Sequence, residues 1–254
     1  MSLNALPKLS GMPAGVVLEK SGRNLDSLVE TDALKRLKST LIHEWKIRNA
    51  FKPLEQYGIR PTTLALFHGP PGNGKTMAAK QLAAVTGVPL YRVACDGLMA
   101  SYLGELERNM RNVLDWLAQA GPAVVLFDEC EAIFRRRGAC DSGGALAIVR
   151  AMQIFWQAVD RWESPQVFLL ATNQIEEIDA ALISRCETRL EFVGPTAEQA
   201  KLVIEYWSEV LHEYGANFWS KELLKAVDKT PPESFRDIWN AVAACVRKFI
   251  TSNQ

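Results

Sequence analysis

Histidine is scarce in this chain, and so is paired cysteine. The 254 residues hold three histidines (His43, His68 and His212) and five cysteines (Cys95, Cys130, Cys140, Cys186 and Cys245). The cysteine count is odd and no two stand at CxxC spacing, so a zinc site and a disulfide framework are both poorly provided for. A reduced, cytoplasmic chain with buried thiols is the expectation. No run of 18 apolar residues exists, which leaves nothing to span a membrane. The opening MSLNALPKLSGMPAG lacks the basic-then-apolar pattern of a secretory leader. Net charge is also missing, since 29 Lys+Arg cancel 29 Asp+Glu. A chain without a positive field is a poor candidate for sequence-blind nucleic-acid binding or for adhesion to an acidic membrane, although a local basic patch stays open. What is present is ordinary for a globular protein, with 48% apolar and 23% charged residues.

The length suits one large domain with a small appendage. Residues 1–24 are rich in Pro, Gly and Ser and read as an extended arm. Leu34, Leu37, Leu41, Ile42 and Trp45 recur at helical spacing behind the cap candidates Thr31 and Asp32, and Pro53 or Gly58 ends that helix. Beyond it, short apolar runs alternate with helical stretches. TLALF (63–67), LYRVA (90–94), AVVLF (123–127), VFLLA (167–171) and TRLEF (188–192) read as strands. Segments 76–86, 105–120 and 145–162 read as the helices between them. That alternation means a parallel sheet covered on both faces. From Pro195 the strands stop and three helical segments follow, so a boundary is expected near Gly194-Pro195. The expected division is an arm over 1–24, an α/β nucleotide-binding domain over 25–194 and a helical lid over 195–254.

Residues 69–76 read GPPGNGKT, the pattern G-x-x-x-x-G-K-T, directly after one strand and directly before a helix. Glycines let backbone N–H groups turn inward around phosphates, and the helix N-terminus adds its positive end. Gly69, Pro70, Pro71, Gly72, Asn73, Gly74, Lys75, Thr76 and the following Met77 are therefore the expected phosphate-binding residues. Lys75 would reach the β- and γ-phosphates, and the Thr76 hydroxyl would ligate Mg²⁺.

The strand 123–127 ends in two acids, Asp128 and Glu129. Ligands of open parallel sheets sit at that edge, and successive residues there point in different directions. Asp128 would orient the hydrated Mg²⁺. Glu129 would act on the attacking water as general base or orient it.

The ordered series GPPGNGKT, FDECEAIF and LLATNQIEEIDAALISRCETRLEF resembles the successive signatures of the AAA+ ATPases. Within them it is most similar to the AAA clade of protein remodelers, which includes katanin, spastin, the proteasomal ATPases and the membrane-anchored AAA proteases. The resemblance covers roughly residues 24–250. It implies a five-stranded P-loop sheet in the order 5-1-4-3-2 with a helical lid, ATP and Mg²⁺ as cofactors, and a hexameric ring of identical subunits. It makes Asn173 the polar sensor of the γ-phosphate and lytic water. It makes Arg185, after the I-D-x-A-L stretch carrying Asp179, Ala181 and Leu182, a finger supplied to the neighbouring subunit. Ser184 stands where many relatives have another arginine, and Arg189 is a second finger candidate or a structural ion-pair partner. Arg236 resembles a lid sensor arginine acting in cis, the other reading being a surface arginine beside Asp237. Leu28-Val29-Glu30 lies where relatives pack adenine, with Ile204 in the lid closing the other side. Asn73 replaces a commoner threonine, which should be harmless.

Tyr102-Leu103-Gly104 looks like the pore loop by which the clade grips an extended polypeptide, since an aromatic ring contacts any side chain without a sequence code. Arg135-Arg136-Arg137 also falls where relatives face the ring centre, and reads equally as a solvated basic loop. Asp160 matches a position used for communication between subunits. The leading expectation is an ATP-driven motor that remodels or threads a protein, through an adaptor or directly. The alternative is a nucleic-acid-associated ATPase such as a loader or a transposition or replication accessory factor. A third reading, ATP as a static switch, is opposed by the intact Glu129. With the core and lid using nearly all 254 residues, specificity is expected from the arm, the pore loops or a separate adaptor.

Overall fold

The computed structural model describes residues 11–19, 29–99, 105–136, 144–162 and 165–252. Strand β1 (Val16–Glu19) comes first. Helix α1 (Asp32–Leu37), capped by the Thr31 side chain on the Leu34 N–H, runs through a π-helical turn over Lys38–Ile42 into α2 (His43–Ile47). A 3₁₀ stretch, Arg48–Tyr57, accommodates Pro53 and stops at Gly58 in the left-handed region, so the helical path outlasts the proline. Then come β2 (Leu64–His68), α3 (Lys75–Thr86), β3 (Leu90–Ala94), α4 (Cys95–Met99), α5 (Glu105–Gln119) and β4 (Ala123–Asp128). After these follow α6 (Gly144–Val159), β5 (Gln166–Thr172), α7 (Ala180–Arg185) and β6 (Thr188–Glu191). The chain closes with α8 (Ala197–Val210), α9 (Ala216–Lys229) and α10 (Phe235–Ser252).

The sheet has six strands in the order β1-β3-β4-β5-β2-β6. Its five parallel members, β2 to β6, stand in the expected order 5-1-4-3-2 when numbered among themselves. The sixth is the difference from the sequence reading. Val16–Glu19, read as part of an arm, pairs antiparallel with β3, with Val16 opposite Val93 and Glu19 opposite Leu90.

Because strand side chains alternate, each central strand feeds two cores. Leu64, Leu66, Val125, Phe127, Phe168 and Leu170 point to the side covered by α5 and α6. Their neighbours Ala65, Phe67, Val124, Leu126, Leu169 and Ala171 point to the side covered by α1, the π turn and α3. This double burial is why the strands read as unbroken apolar runs. The last three helices share a third cluster built on Val203, Ile204, Trp219, Val227, Ile238 and Val242. A capping box starts α8, with Thr196 and Gln199 satisfying each other's backbone N–H groups.

Among the described residues no helix is long and apolar enough to cross a membrane.

Candidate functional site at the C-terminal edge of the sheet

Three adjacent parallel strands end side by side. β2 runs out at His68, opposite Thr172 of β5, and β4 runs beside β5 with Phe127 opposite Leu170. The loop beginning at Gly69, the pair Asp128-Glu129 and the residue Asn173 therefore emerge together at one edge of the sheet. Asn173 is exposed there, and the preceding Thr172 hydroxyl accepts the Gln174 N–H at 3.0 Å.

The loop 69–74 owes its path to three glycines with φ values of 129°, 84° and 95° at positions 69, 72 and 74. A side chain at Gly69 would collide with the Phe192 carbonyl, which lies just past β6. At Gly72 it would meet Ser234 Oγ and Arg236 Cβ at 2.9 Å, whereas at Gly74 it would meet nothing. The loop is thus pinned at two points and open at the third, next to the N-terminus of α3. Pro70 and Pro71 are exposed, Thr76 is half-buried and Met77 is 46% exposed.

Lys75, only 8% exposed, folds back on its own loop. Its ammonium donates to the Gly69 carbonyl at 2.6 Å and to the Pro70 carbonyl at 3.0 Å. Burial pulls its pKa below the usual lysine value, Asp128 and Glu131 oppose that, and Arg236 adds to it. The two loop carbonyls hold the ammonium where phosphate oxygens would take over as acceptors.

Asp128 closes β4, and its Oδ2 lies 3.9 Å from Nη1 of Arg92. Glu129 has φ 51° and ψ 46°. It is the one non-glycine residue with positive φ among those described, a conformation that costs a side-chain-bearing residue about 1–2 kcal/mol. This kink leaves the carboxylate exposed while Asp128 is half-buried and Cys130 is fully buried. Strain of this kind at a strand tip clusters at active sites. Next to it, Glu131 Oε2 is buried without a partner in the structure.

A hard carboxylate and a hydroxyl are the oxygen donors that Mg²⁺ takes together with nucleotide phosphates and water. Asp128 and Thr76 supply that pair, beside an open loop of N–H donors, so the site fits Mg·nucleotide. Among the described residues no cluster of three or more His, Cys, Asp or Glu offers a metal cage made of protein alone.

Arg185 ends α7 and is held by groups of its own chain. Its Nε lies 3.8 Å from Asp160 Oδ1, its Cζ stands 4.9 Å over the Trp156 ring, and its Nη1 donates to the Ala181 carbonyl. Asp179 caps the same helix through the Ala181 N–H. Arg189 lies exposed on the edge strand β6 and forms no ion pair among the described residues.

Arg236 is carried to the phosphate loop by the first turn of α10. Its backbone N–H donates to the Gly72 carbonyl at 3.2 Å, and the neighbouring Phe235 N–H donates to Asn73 Oδ1 at 3.4 Å. Asp237 is not its partner, because that carboxylate takes both the backbone N–H and the hydroxyl of Ser234. Asn73, 4% exposed, is packed against the lid, and its Nδ2 is buried without a partner. Val29 packs on the lid cluster that contains Ile204. Ile204 is 1% exposed and presents no free surface to a base in this conformation.

Tyr102, Leu103, Gly104, Arg137 and Leu28 lie outside the described residues. Arg135 is tied down by the Glu131 carbonyl and by Glu177 Oε2 at 3.7 Å, while Arg136 stays exposed. Sequence reasoning did not single out Arg92, Glu19, Ser234 or Trp156. Glu19, Arg92 and Trp156 act through partners distant in the chain, and only the Ser234-x-x-Asp237 spacing carried a local signal.

The family model described as ATPase family associated with various cellular activities (AAA) matches residues 65–193. The chain belongs to the AAA family of ATPases. An uncharacterized AAA family ATPase, y4kL of Sinorhizobium fredii, is 34% identical over 174 residues, which is 68% of this chain and 51% of that one. A putative 26S proteasome regulatory subunit homolog of Methanothermobacter thermautotrophicus is 34% identical over 58% of this chain and 39% of its own length. A probable 26S proteasome regulatory subunit 4 of Caenorhabditis elegans is 32% identical over 59% of this chain and 35% of its own. The matched region thus spans about half or less of these curated relatives. The FIGL-1 AAA domain, solved in complex with ADP, superposes with a TM-score of 0.69 at 20% identity, covering 88% of this chain and 72% of that one.

Proposed function

We propose that the protein is a Mg²⁺-dependent ATPase that works as a ring, most simply a hexamer, and uses hydrolysis to remodel or thread a protein through a central pore. The observation that carries this reading is the convergence of the Gly69–Thr76 loop, Asp128-Glu129 and Asn173 on three neighbouring strand ends. Backbone N–H groups of 72–76 receive the phosphates. Lys75 exchanges two carbonyls for β- and γ-phosphate oxygens. Thr76 and Asp128 hold the Mg²⁺, which when bound neutralises developing charge on the phosphates. Glu129 takes the proton of the attacking water or orients it, and Asn173 positions that water against the γ-phosphate. Arg236 approaches from the lid. The lid, 195–254, acts as a module distinct from the 25–194 core.

Arg185 serves a neighbour's ATP, which is why a ring is required. A planar, permanently charged guanidinium is suited to that task. The kinship with regulatory subunits of the 26S proteasome supports a protein substrate, gripped by Tyr102 with Leu103 and Gly104. Cys95, Cys130 and Cys186, buried as free thiols, suit a reducing cytoplasm.

Tyr102→Ala tests the threading step. It should leave basal ATP hydrolysis within about twofold and abolish work on a protein trapped by the Glu129→Gln variant in ATP. A Tyr102→Ala protein that still remodels that substrate removes the pore-loop role.

A further inference from the structure

Three side chains on the α3 face of the sheet form a relay that starts in β1. Val17 stands opposite Arg92, so Glu19, two residues on, is its diagonal neighbour on the same face. Arg92 in turn stands opposite Leu126 of β4, which makes Asp128 its diagonal neighbour on the other side. Glu19 Oε1 accepts from Arg92 Nε at 2.9 Å, and Arg92 Nη1 reaches to 3.9 Å from Asp128 Oδ2. The second Glu19 oxygen meets Lys80 Nζ of α3 at 3.1 Å. Burial alone would raise the Glu19 carboxyl, but the hydrogen bonds and charges of Lys80 and Arg92 outweigh it and hold the pKa below the usual value. Glu19 is therefore an anion between two cations, and Arg92 is a cation shared unequally between two anions.

We propose that Glu19 and Arg92 are positioning residues that set the Mg²⁺ requirement of the site: by holding the Arg92 guanidinium, Glu19 of β1 keeps it from closing on Asp128. This rests on Asp128 being the Mg²⁺ ligand. A guanidinium pairs with a carboxylate in bidentate fashion when free to do so. With Glu19 neutral, Arg92 turns to Asp128 and the metal must displace it. With Arg92 neutral, Asp128 meets the metal without competition. The strand added at the sheet edge is thereby coupled to the metal ligand through the hold of the Glu19 carboxylate on Arg92.

The experiment follows binding of a fluorescent, non-hydrolysable ATP analogue to the whole chain as Mg²⁺ is titrated, and reads the Mg²⁺ midpoint. Glu19→Gln should raise that midpoint about threefold to fivefold, the size of a partly exposed ion pair. Arg92→Gln should lower it, and the double variant Glu19→Gln/Arg92→Gln should behave as Arg92→Gln alone. Lys80→Met loosens β1 as well but leaves Arg92 on Glu19, so its midpoint should stay within about twofold of the wild type. Equal shifts for Lys80→Met and Glu19→Gln would show simple detachment of the strand and overturn the proposal. So would an unchanged midpoint in both Glu19→Gln and Arg92→Gln. Asp128→Asn with an unaltered Mg²⁺ dependence would instead remove the metal-ligand reading beneath it.

Discussion

Arg185 lies 3.8 Å from Asp160 and stacks over the Trp156 ring, 4.9 Å from its centroid. The guanidinium proposed above to serve a neighbour's phosphate is occupied by an acid just beyond the C-terminus of α6 and by an aromatic of the same helix. Both side chains of the ion pair are about half exposed, so the pair is weak and readily exchanged for a phosphate. Asp160 is thereby linked to Arg185 directly.

Arg185→Ala should lower ATP turnover by at least about 10³-fold, as loss of an arginine finger does, while leaving nucleotide binding intact. A mixture of Arg185→Ala and Lys75→Ala proteins should recover about a quarter of the sites, because a head-to-tail ring pairs one variant's good loop with the other's good finger. Steady-state ATPase assays on mixed and unmixed samples check this. No recovery places Arg185 within its own subunit's site.

Glu129 holds a backbone conformation that glycine adopts freely. Glu129→Gly should raise thermal stability by about 1 kcal/mol while hydrolysis falls by at least about 100-fold. A calorimetric melt paired with a turnover assay measures both. Loss of stability in that variant shows that the kink is held by the carboxylate.

Gly72 abuts Ser234 and Arg236 with φ 84°. Gly72→Ala should cost about 2 kcal/mol or more, from the strained φ and the collision together, and should push the start of α10 off the loop. Asn73→Thr, by contrast, should be tolerated within about 1 kcal/mol, since it gives up one 3.4 Å hydrogen bond and an unpartnered buried amide nitrogen. Denaturant unfolding of both variants distinguishes the two outcomes.

His68, the last residue of β2, has its pKa lowered from 6.5 by burial; Glu191 opposes this, and Lys75 and Arg189 add to it. The unfolded chain takes up the proton first as pH falls. The folded state is therefore favoured above pH 6.5 and loses stability as pH drops through that value, until the folded histidine also titrates. His68→Gln should flatten the stability profile between about pH 7 and pH 5. Melting temperatures across that range test it.

Most of the fold can be read from the chain because each parallel strand is apolar on both faces and each helix carries one apolar stripe. Phe127 and Leu126 serve opposite cores, as adjacent residues of a strand covered on both faces do. β1 escapes that logic. Its four residues sit in a Gly- and Pro-rich stretch, Val17 and Leu18 remain exposed, and the cations that receive Glu19 come 61 and 73 residues later. In the site, the phosphate loop and the two acids follow from local spacing. The contact of Asn73 with Phe235 joins residues 162 apart, and the left-handed turn at Glu129 sets an exposed carboxylate beside the buried Cys130. Neither leaves a local trace.

The seam between loop and lid has a mechanical consequence. Gly72 lies against Ser234 and Arg236, while Gly194 presses on the Glu233 carbonyl, so residues 233–236 are clasped from both sides by bare backbone. The 18-residue helix α10 starts at this fulcrum. Such a helix is about 27 Å long, so a tilt of about ten degrees at the loop sweeps its far end through about 5 Å. A small displacement at the phosphate loop is thus amplified by leverage into a larger shift at the far end of α10.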